Sequence, residues 1–440
     1  DLFRDELEAF FAAARKAVYV ENPDRVIKNV EGDYDPPTSE GLPDFHCYTM
    51  WYSNHGEPIG RLRKGYLPPV KQGWMIGCGE YGAEGLDNAD LMYARYPKEW
   101  MEPAPDGNWY PDRIVKAQTH SVQGDWYKEQ TTVEDWVRES QRHQAIATKM
   151  MTDAYRRRAD VISHTAIHLL IDAWPAGWMK TLVGCDRKPK AAYFAYQEAL
   201  EPLRVNLYCD RQYVYGGETV ETECWLLNDR PDAENVTVRA ALCRDGKAIA
   251  VWEMQAEAKA ATSVCAGQIP VRFPECAAEE TMTLQACMID SNGTVINEEQ
   301  LTFYVYPKTE AAAETAGSKA AGYAETLGIR ESRDGGLLAS GTDPDTVSAI
   351  ETAFSDGKTV VWLANEAGKS VSVLGTEISW QNCSSVFFTA ADGEAEKYHL
   401  NMLYNEACGY MDFIGERSIV CEEGETLVYT YKKQGFQGSS

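Results

Sequence analysis

No apolar stretch in these 440 residues approaches the roughly 18 that a bilayer-spanning helix needs. The first twenty, DLFRDELEAFFAAARKAVYV, have neither the basic start nor the small-residue cleavage site of a secretion signal. A chain that neither crosses a membrane nor is exported is expected, and with it a cytoplasmic location. The twelve cysteines include no CxxC pair and no regular spacing, which argues against a disulfide framework or a zinc site and for scattered buried thiols in a reducing compartment. Basic residues are scarce, 42 against 67 acidic. The resulting net charge of −25 repels phosphate backbones, so nucleic acid is excluded as a partner and a neutral or cationic ligand fits better.

What is present is an ordinary globular composition, 44% hydrophobic and 25% charged, in a chain long enough for two to four domains. Residues 1 to 203 alternate helix-like and strand-like segments. Leu2, Phe3, Leu7, Phe10, Phe11, Ala14 and Val18 recur at helical spacing until Asn22-Pro23. Apolar runs at Val26 to Val30, Asp44 to Trp51, Gly73 to Cys78 and Val161 to Asp172 predict four buried strands, with a candidate helix near Pro58 to Tyr66. A polar insertion runs from about Asp87 to Gln130. Thr131-Thr-Val-Glu134 reads as a capping box opening a helix to about Arg158, and Pro189 to Leu200 closes the region as a helix. From 204 to 306 six short alternating runs, from VNLYCD to QLTFYVYP, predict an antiparallel sandwich of immunoglobulin type. Residues 307 to 321, rich in small side chains, are expected to be a linker. Residues 322 to 440 are expected to hold a small α/β accessory domain with a helix opened by Asp343-Pro344.

Four strands in about 200 residues are half of what a closed (β/α)8 TIM barrel requires. Half a barrel would expose two sheet edges and an apolar inner face, so its other half is expected from a preceding segment of the natural polypeptide or from a partner chain.

The sharpest chemical signal is Gly73-Trp-Met-Ile-Gly-Cys-Gly-Glu80-Tyr81-Gly82-Ala83-Glu84-Gly85, an apolar strand that ends on a carboxylate among glycines. In a barrel the C-terminal ends of the strands form the active face. A glycosidase nucleophile needs such an ionised carboxylate with little bulk around it. A strand-end Glu in a Gly-rich turn with no catalytic role fits the same residues.

The segment CGEYGAEG resembles the nucleophile strand of glycoside hydrolase family 2, where a Ser-Glu-Tyr/Phe-Gly pattern presents the nucleophile, and the match falls on Glu80 rather than Glu84. Two more segments agree in order. Pro43-Asp-Phe-His46-Cys47-Tyr48-Thr-Met-Trp51-Tyr52 is similar to the strand-six segment of β-galactosidases and β-glucuronidases, whose tyrosine contacts the nucleophile; Tyr48 takes that place. Leu170-Ile171-Asp172-Ala173-Trp174-Pro175, followed by Lys188-Pro189-Lys190-Ala-Ala-Tyr193, resembles the strand-eight pattern of the β-mannosidase and exo-β-glucosaminidase branch, with Ile171 where the pattern has Asn and His168 where many members have an aromatic platform. The resemblance covers about residues 1 to 305. It implies a retaining, exo-acting β-glycoside hydrolase for a neutral sugar, galactose type first and mannose type second, acting on a β-linked oligosaccharide or glycoside. Glu80 would be the nucleophile, Tyr48 its partner, and His46, Asp172 and Trp174 would bind sugar. No cofactor is implied, and a homo-oligomer is expected. The family's Asn-Glu pair carrying the acid/base does not occur in the first 200 residues, so that group is expected outside this chain, just before Asp1. The Asn-x-Lys triplet that reads a uronate is absent from residues 1 to 203, which argues against glucuronides.

Glu31 and Asp33 follow the first expected strand and suit either sugar binding or a solvated loop. His164 and His168 share an i, i+4 interval, but in a strand that interval separates them by roughly 13 Å, so no metal is expected there. Trp174 and Trp178 offer flat faces for sugar stacking or for core packing. The triplets at Asn235, Asn292 and Asn382 are formal glycosylation sites, without meaning in a chain that is not secreted. Ser340-Gly341-Thr342-Asp343 fits a helix N-cap or an anion cradle. Two rival functions follow: a noncatalytic carbohydrate-binding or scaffold subunit, and a C-terminal domain that binds a flavin or nucleotide.

Overall fold

The computed structural model describes residues 3–25, 27, 44–46, 75–111, 114, 130–176, 179–209, 212–308, 312–327, 329–363, 369–382, 387–390, 417–421 and 428–431. In the first region a parallel sheet runs in the order β1 (Asp44–His46), β2 (Met75–Tyr81), β3 (Ile162–Ile167). The helices of the same region are α1 (Arg4–Glu21), α2 (Ala89–Arg95), α3 (Lys98–Met101), α4 (Val133–Arg156) and α5 (Ala191–Ala199). The strand expected at 26–30 and the helix expected at 58–66 lie outside the described residues.

α4 covers one face of this sheet. Trp136, Ala147, Met151, Ala154 and Tyr155 pack with Ile76, Cys78 and Tyr81 of β2 in one buried cluster. Each such large apolar side chain contributes about 1.5–3 kcal/mol on burial. The helix starts one residue later than the expected capping box. An N-cap carbonyl must accept the first intrahelical bond; that of Thr132 does, from Trp136 N at 3.1 Å, whereas that of Thr131 accepts from Trp109 N at 2.9 Å. Thr132 Oγ1 then accepts from Asp135 N at 3.2 Å and donates to the Asp135 carboxylate at 2.7 Å.

Residues 203 to 306 form two layers. One is β4 (Leu203–Tyr208), β6 (Thr219–Asn228) and β9 (Thr262–Arg272), ordered β4-β6-β9. The other joins β5 (Tyr213–Tyr215), β7 (Glu234–Arg244), β8 (Lys247–Ala258), β10 (Glu280–Ile289) and β11 (Val295–Tyr306), ordered β5-β11-β10-β7-β8. Both are antiparallel throughout except where β5 pairs in parallel with β11. Alternate residues such as Leu226, Val238, Leu242, Leu284 and Phe303 meet in the shared core. Two strands, β5 and β8, were not among the six expected runs. β8 follows β7 through a two-residue loop, Asp245-Gly246, both at positive φ (49° and 71°), the conformation a tight hairpin turn requires and Asp-Gly readily adopts.

The stretch 307–321, expected to be a linker, holds a strand instead. β12 (Ala312–Ala316) lies second in a parallel sheet ordered β13-β12-β14-β15, with β13 (Arg330–Glu331), β14 (Gly336–Ala339) and β15 (Val360–Trp362). Small side chains read as linker composition, yet they also suit a strand covered on both faces. α6 (Ala320–Leu327) and α7 (Pro344–Ser355) are the crossovers, and Asp343 caps α7 by accepting from Thr346 N at 2.9 Å. Beyond them β16 (Ser370–Val373), β17 (Thr376–Asn382) and β19 (Arg417–Cys421) form one antiparallel sheet, and β18 (Phe387–Ala390) pairs with β20 (Val428–Tyr431).

Candidate active site

Strict alternation along β2 would place Glu80 on the same face as Ile76 and Cys78, against α4. A bulge prevents this. The register passes from Cys78↔Thr165 to Tyr81↔Ile167, three residues of β2 against two of β3. Tyr81 therefore joins Cys78 on the helix side. Tyr155 Oη donates to Cys78 Sγ at 3.1 Å, Tyr81 Oη lies 2.8 Å from Thr152 Oγ1, and the Tyr81 and Tyr155 rings meet edge-on at 5.2 Å. Burial, more than any neighbour, pushes the Tyr81 phenol well above its ordinary range. Glu80, the adjacent residue, is left half-buried on the opposite face, at the C-terminal end of a parallel strand.

The strand ends are locked together next to it. His168 N donates to Tyr81 O at 2.9 Å. A Cβ on Gly82 would stand 2.6 Å from His168 O, so only glycine permits this approach. The chain after β3 then folds back over the chain after β2. Gly85 N donates to Met179 O at 3.0 Å, Leu182 N to Leu169 O at 3.0 Å, and the Gln144 amide of α4 donates to both Ala83 O and Thr181 O.

This fold-back buries a lysine among acids. Lys180 is 1% exposed and Glu84 4%. Burial lowers the Lys180 ammonium to about 7, against the opposing pull of Glu84 first and Glu80 second. His168 is also held below its ordinary range, chiefly by burial, with Glu80 pulling it up and Lys180 down. Glu80, Glu84, His168 and Lys180 thus share one electrostatic neighbourhood. Lys180 was not foreseen in the sequence. Its one signal is a lone cation in the apolar run WMKTLVG.

The other expected residues fall as follows. His46 lies in β1 opposite Gly77, one strand away from Glu80. Asp172 is buried, accepting from Thr181 Oγ1 at 2.8 Å, and its charge reaches Tyr96, whose hydroxyl donates to Asp87 at 2.7 Å. Lys190 Nζ sits 3.5 Å from Asp87 and donates to Gly85 O at 3.0 Å, so the Asp87–Lys190 pair forms a second buried layer behind the first. Trp174 is 61% exposed. Tyr48, Glu31, Asp33 and Trp178 lie outside the described residues. His164 bonds its neighbour, with Nδ1 2.8 Å from Ser163 Oγ. Among the described residues no cluster of three or more His, Cys, Asp or Glu is placed to hold a metal ion, and no helix is long and apolar enough to cross a membrane.

No family model matches the chain, and no curated protein does. Among solved structures it is similar to a β-D-mannosidase from Dictyoglomus thermophilum, at 18% identity and a TM-score of 0.45 over 64% of this chain and 33% of that one. It is also similar to an exo-chitosanase from Amycolatopsis orientalis, at 14% identity and a TM-score of 0.36 over 62% and 31%. The chain spans about a third of the length of each.

Proposed function

We propose that the chain is the C-terminal portion of a retaining β-glycoside hydrolase in which Glu80 is the nucleophile. The observation that carries this reading is the bulge in β2, which turns a strand-end carboxylate away from the helix layer and leaves it half-buried beside glycines. In the reaction the Glu80 carboxylate attacks the anomeric carbon as the leaving oxygen takes a proton from a general acid; water then hydrolyses the glycosyl ester and regenerates the carboxylate. Glu84 is a poor candidate for the second carboxyl group, because it is almost wholly buried. In this reading the acid/base comes from an N-terminal half of the barrel, as a preceding segment or a partner chain. Tyr48 would orient Glu80, and His46 and the open face of Trp174 would meet the sugar. The Asp172–Thr181 bond would steady the segment that carries Trp174. With two carboxylates to one ammonium, the mouth disfavours a uronate, which leaves a neutral β-galactoside first and a β-mannoside second.

In the same reading residues 1–203 are half of a TIM barrel, and 204–306 an immunoglobulin-like domain, supported by sheet orders β4-β6-β9 and β5-β11-β10-β7-β8. The accessory α/β domain reaches back from 322 to take in β12, and its order β13-β12-β14-β15 is that of flavodoxin-like sheets.

Incubating the intact protein with 2-fluoro β-galactosyl and β-mannosyl fluorides tests the assignment. Mass spectrometry should find the label on Glu80, and Glu80→Gln should abolish both labelling and turnover while the protein remains folded. Label on Glu84 or Glu31, or substantial hydrolysis by Glu80→Gln, would reassign the nucleophile.

A further inference from the structure

We propose that the cleft between α4 and the sandwich is a noncatalytic binding site for a neutral, polyhydroxylated ligand, a short oligosaccharide, built from residues that the Glu80 site does not use.

The cleft holds about 460 Å³, inside the span of about 300–1,000 Å³ usual for small-molecule sites. One wall follows from helical spacing. Arg142, Ile146, Lys149, Met150 and Asp153 line it from α4, on a face other than the one through which Ala147, Met151 and Ala154 join the core with β2. The opposite wall is made by the end of β4, the residue before β5, and β11. There Gln212 is pinned twice to β11: Tyr304 N donates to its backbone carbonyl at 2.8 Å, and its side-chain amide donates to Thr302 O at 2.6 Å. The second bond fixes which end of the amide is nitrogen and which is oxygen. Gln212 is 6% exposed, and its Oε1 accepts from no donor. A buried acceptor is rarely left so, because it has lost water without gaining a replacement. An occupant bearing hydroxyls supplies the donor this oxygen lacks.

The charges on the walls select against ions. Three cations, Arg142, Lys149 and Arg157, stand with three carboxylates, Asp153, Glu198 and Glu299. Lys149 lies 3.0, 3.6 and 2.9 Å from those three acids in turn. Arg157 donates to Asn206 Oδ1 at 2.8 Å and covers the Tyr208 ring, 4.5 Å from its centroid. Arg142 pairs with Glu139 at 3.2 Å at the exposed mouth. An anion would therefore meet three carboxylates, a cation three bases, and an apolar ligand would strand both sets. Each hydroxyl of a sugar both donates and accepts, which matches walls that carry both kinds of group. Ile146, Met150 and Leu301 give its C–H faces an apolar seat.

The test titrates the intact protein, methyl-labelled at isoleucine and methionine, with β-linked mannotriose and galactotriose. The Ile146 and Met150 signals, assigned by their loss in Ile146→Val and Met150→Leu, should shift saturably in the millimolar range with at least one of the sugars. Glu80→Gln should leave those shifts intact. Gln212→Met should raise the dissociation constant about fivefold, the worth of one hydrogen bond, and so should Arg142→Met, whose half-exposed side chain puts folding at little risk. Weakening in either folded variant supports the site. No saturable shift with either sugar up to its solubility overturns the proposal, as do shifts that vanish in Glu80→Gln or that no folded variant weakens. Inorganic phosphate or putrescine acting on the same signals at lower concentration than either sugar would make the occupant an ion and overturn it too. The glycosidase reading is judged apart from this one: absence of turnover and of label on Glu80 removes that reading, while the two methyl signals alone decide the cleft.

Discussion

Phe273 and Phe303 meet at 4.9 Å between centroids in the middle of the sandwich, fully buried, while Phe3, which caps α1, and Phe10 on it are 68% and 65% exposed. The two regions solve the burial problem differently. In the sandwich both layers come from one continuous hundred residues, and every pairing except the parallel one of β5 with β11 is antiparallel, so the core closes on itself. In the parallel region β2 and β3 are more than eighty residues apart and depend on long crossovers. Among the described residues, no further strand lies beyond β1 or β3 in that sheet. The sandwich buries Arg204 of β4, paired with Glu299 of β11; the parallel region carries the bulge, the tight Gly82 contact and the buried Lys180. Function is proposed where closure is incomplete.

The two are joined by ions. Asp153 of α4 accepts from Lys149 at 3.0 Å and from the Asn206 amide of β4 at 3.1 Å, with Arg204 at 3.3 Å, while Lys149 also reaches Glu299 of β11 at 2.9 Å and Arg204 pairs with Glu299. Burial alone would push the Asp153 carboxyl up, but Lys149, Arg204 and Arg157 together hold it below its ordinary range.

The comparison breaks most severely at its closed member. Phe303→Ala should cost about 3–5 kcal/mol, read by urea unfolding, because the side chain fills the centre of the core and leaves a cavity. If the parallel region unfolds in the same transition, the two are not separate cooperative units. Arg204→Met should cost somewhat less, about 3 kcal/mol, by leaving buried acids short of a cation. It should also split calorimetric unfolding into two steps, since it cuts the joint and neither core. Acid should act on the same joint. A carboxyl whose folded pKa is depressed contributes stability above its unfolded pKa and loses it as pH falls through the folded one. In wild type the joint should therefore weaken as pH drops below the ordinary carboxylate range, with Asp153→Asn flattening that dependence. Thr132→Ala should cost about 1 kcal/mol through the lost cap of α4, read as a lower melting temperature. At the small end, Arg239→Ala removes an exposed cross-strand pair with Glu253 and should leave the melting temperature unchanged.

Much of this architecture was legible in the residues. Strands such as β7 and β10 alternate clearly, and Asp343-Pro344 announces a helix start. The gap at β8 has a physical cause: its inward positions include Ala250 and Ala256, small side chains whose alternation is faint. The cap of α4 was misplaced by one residue because Thr131 and Thr132 are chemically equivalent; what separates them is Trp109, which takes the carbonyl of the first.

At the candidate site the sequence by itself determined that a carboxylate stands among glycines at the end of an apolar strand, since strand-forming side chains and the permissive backbone of glycine are local properties. Which way Glu80 faces was decided by tertiary structure. The bulge exists only in the register between β2 and β3, and without it the same sequence would turn Glu80 into the helix layer. The character of Lys180 was decided in the same way. An isolated lysine in WMKTLVG is an ordinary cation; its ammonium is lowered to about 7 because the chain after β3 folds over the chain after β2 and removes water, an effect that Glu84 and Glu80 oppose. Desolvation and charge proximity are properties of three-dimensional neighbours, and no single segment of the chain contains them.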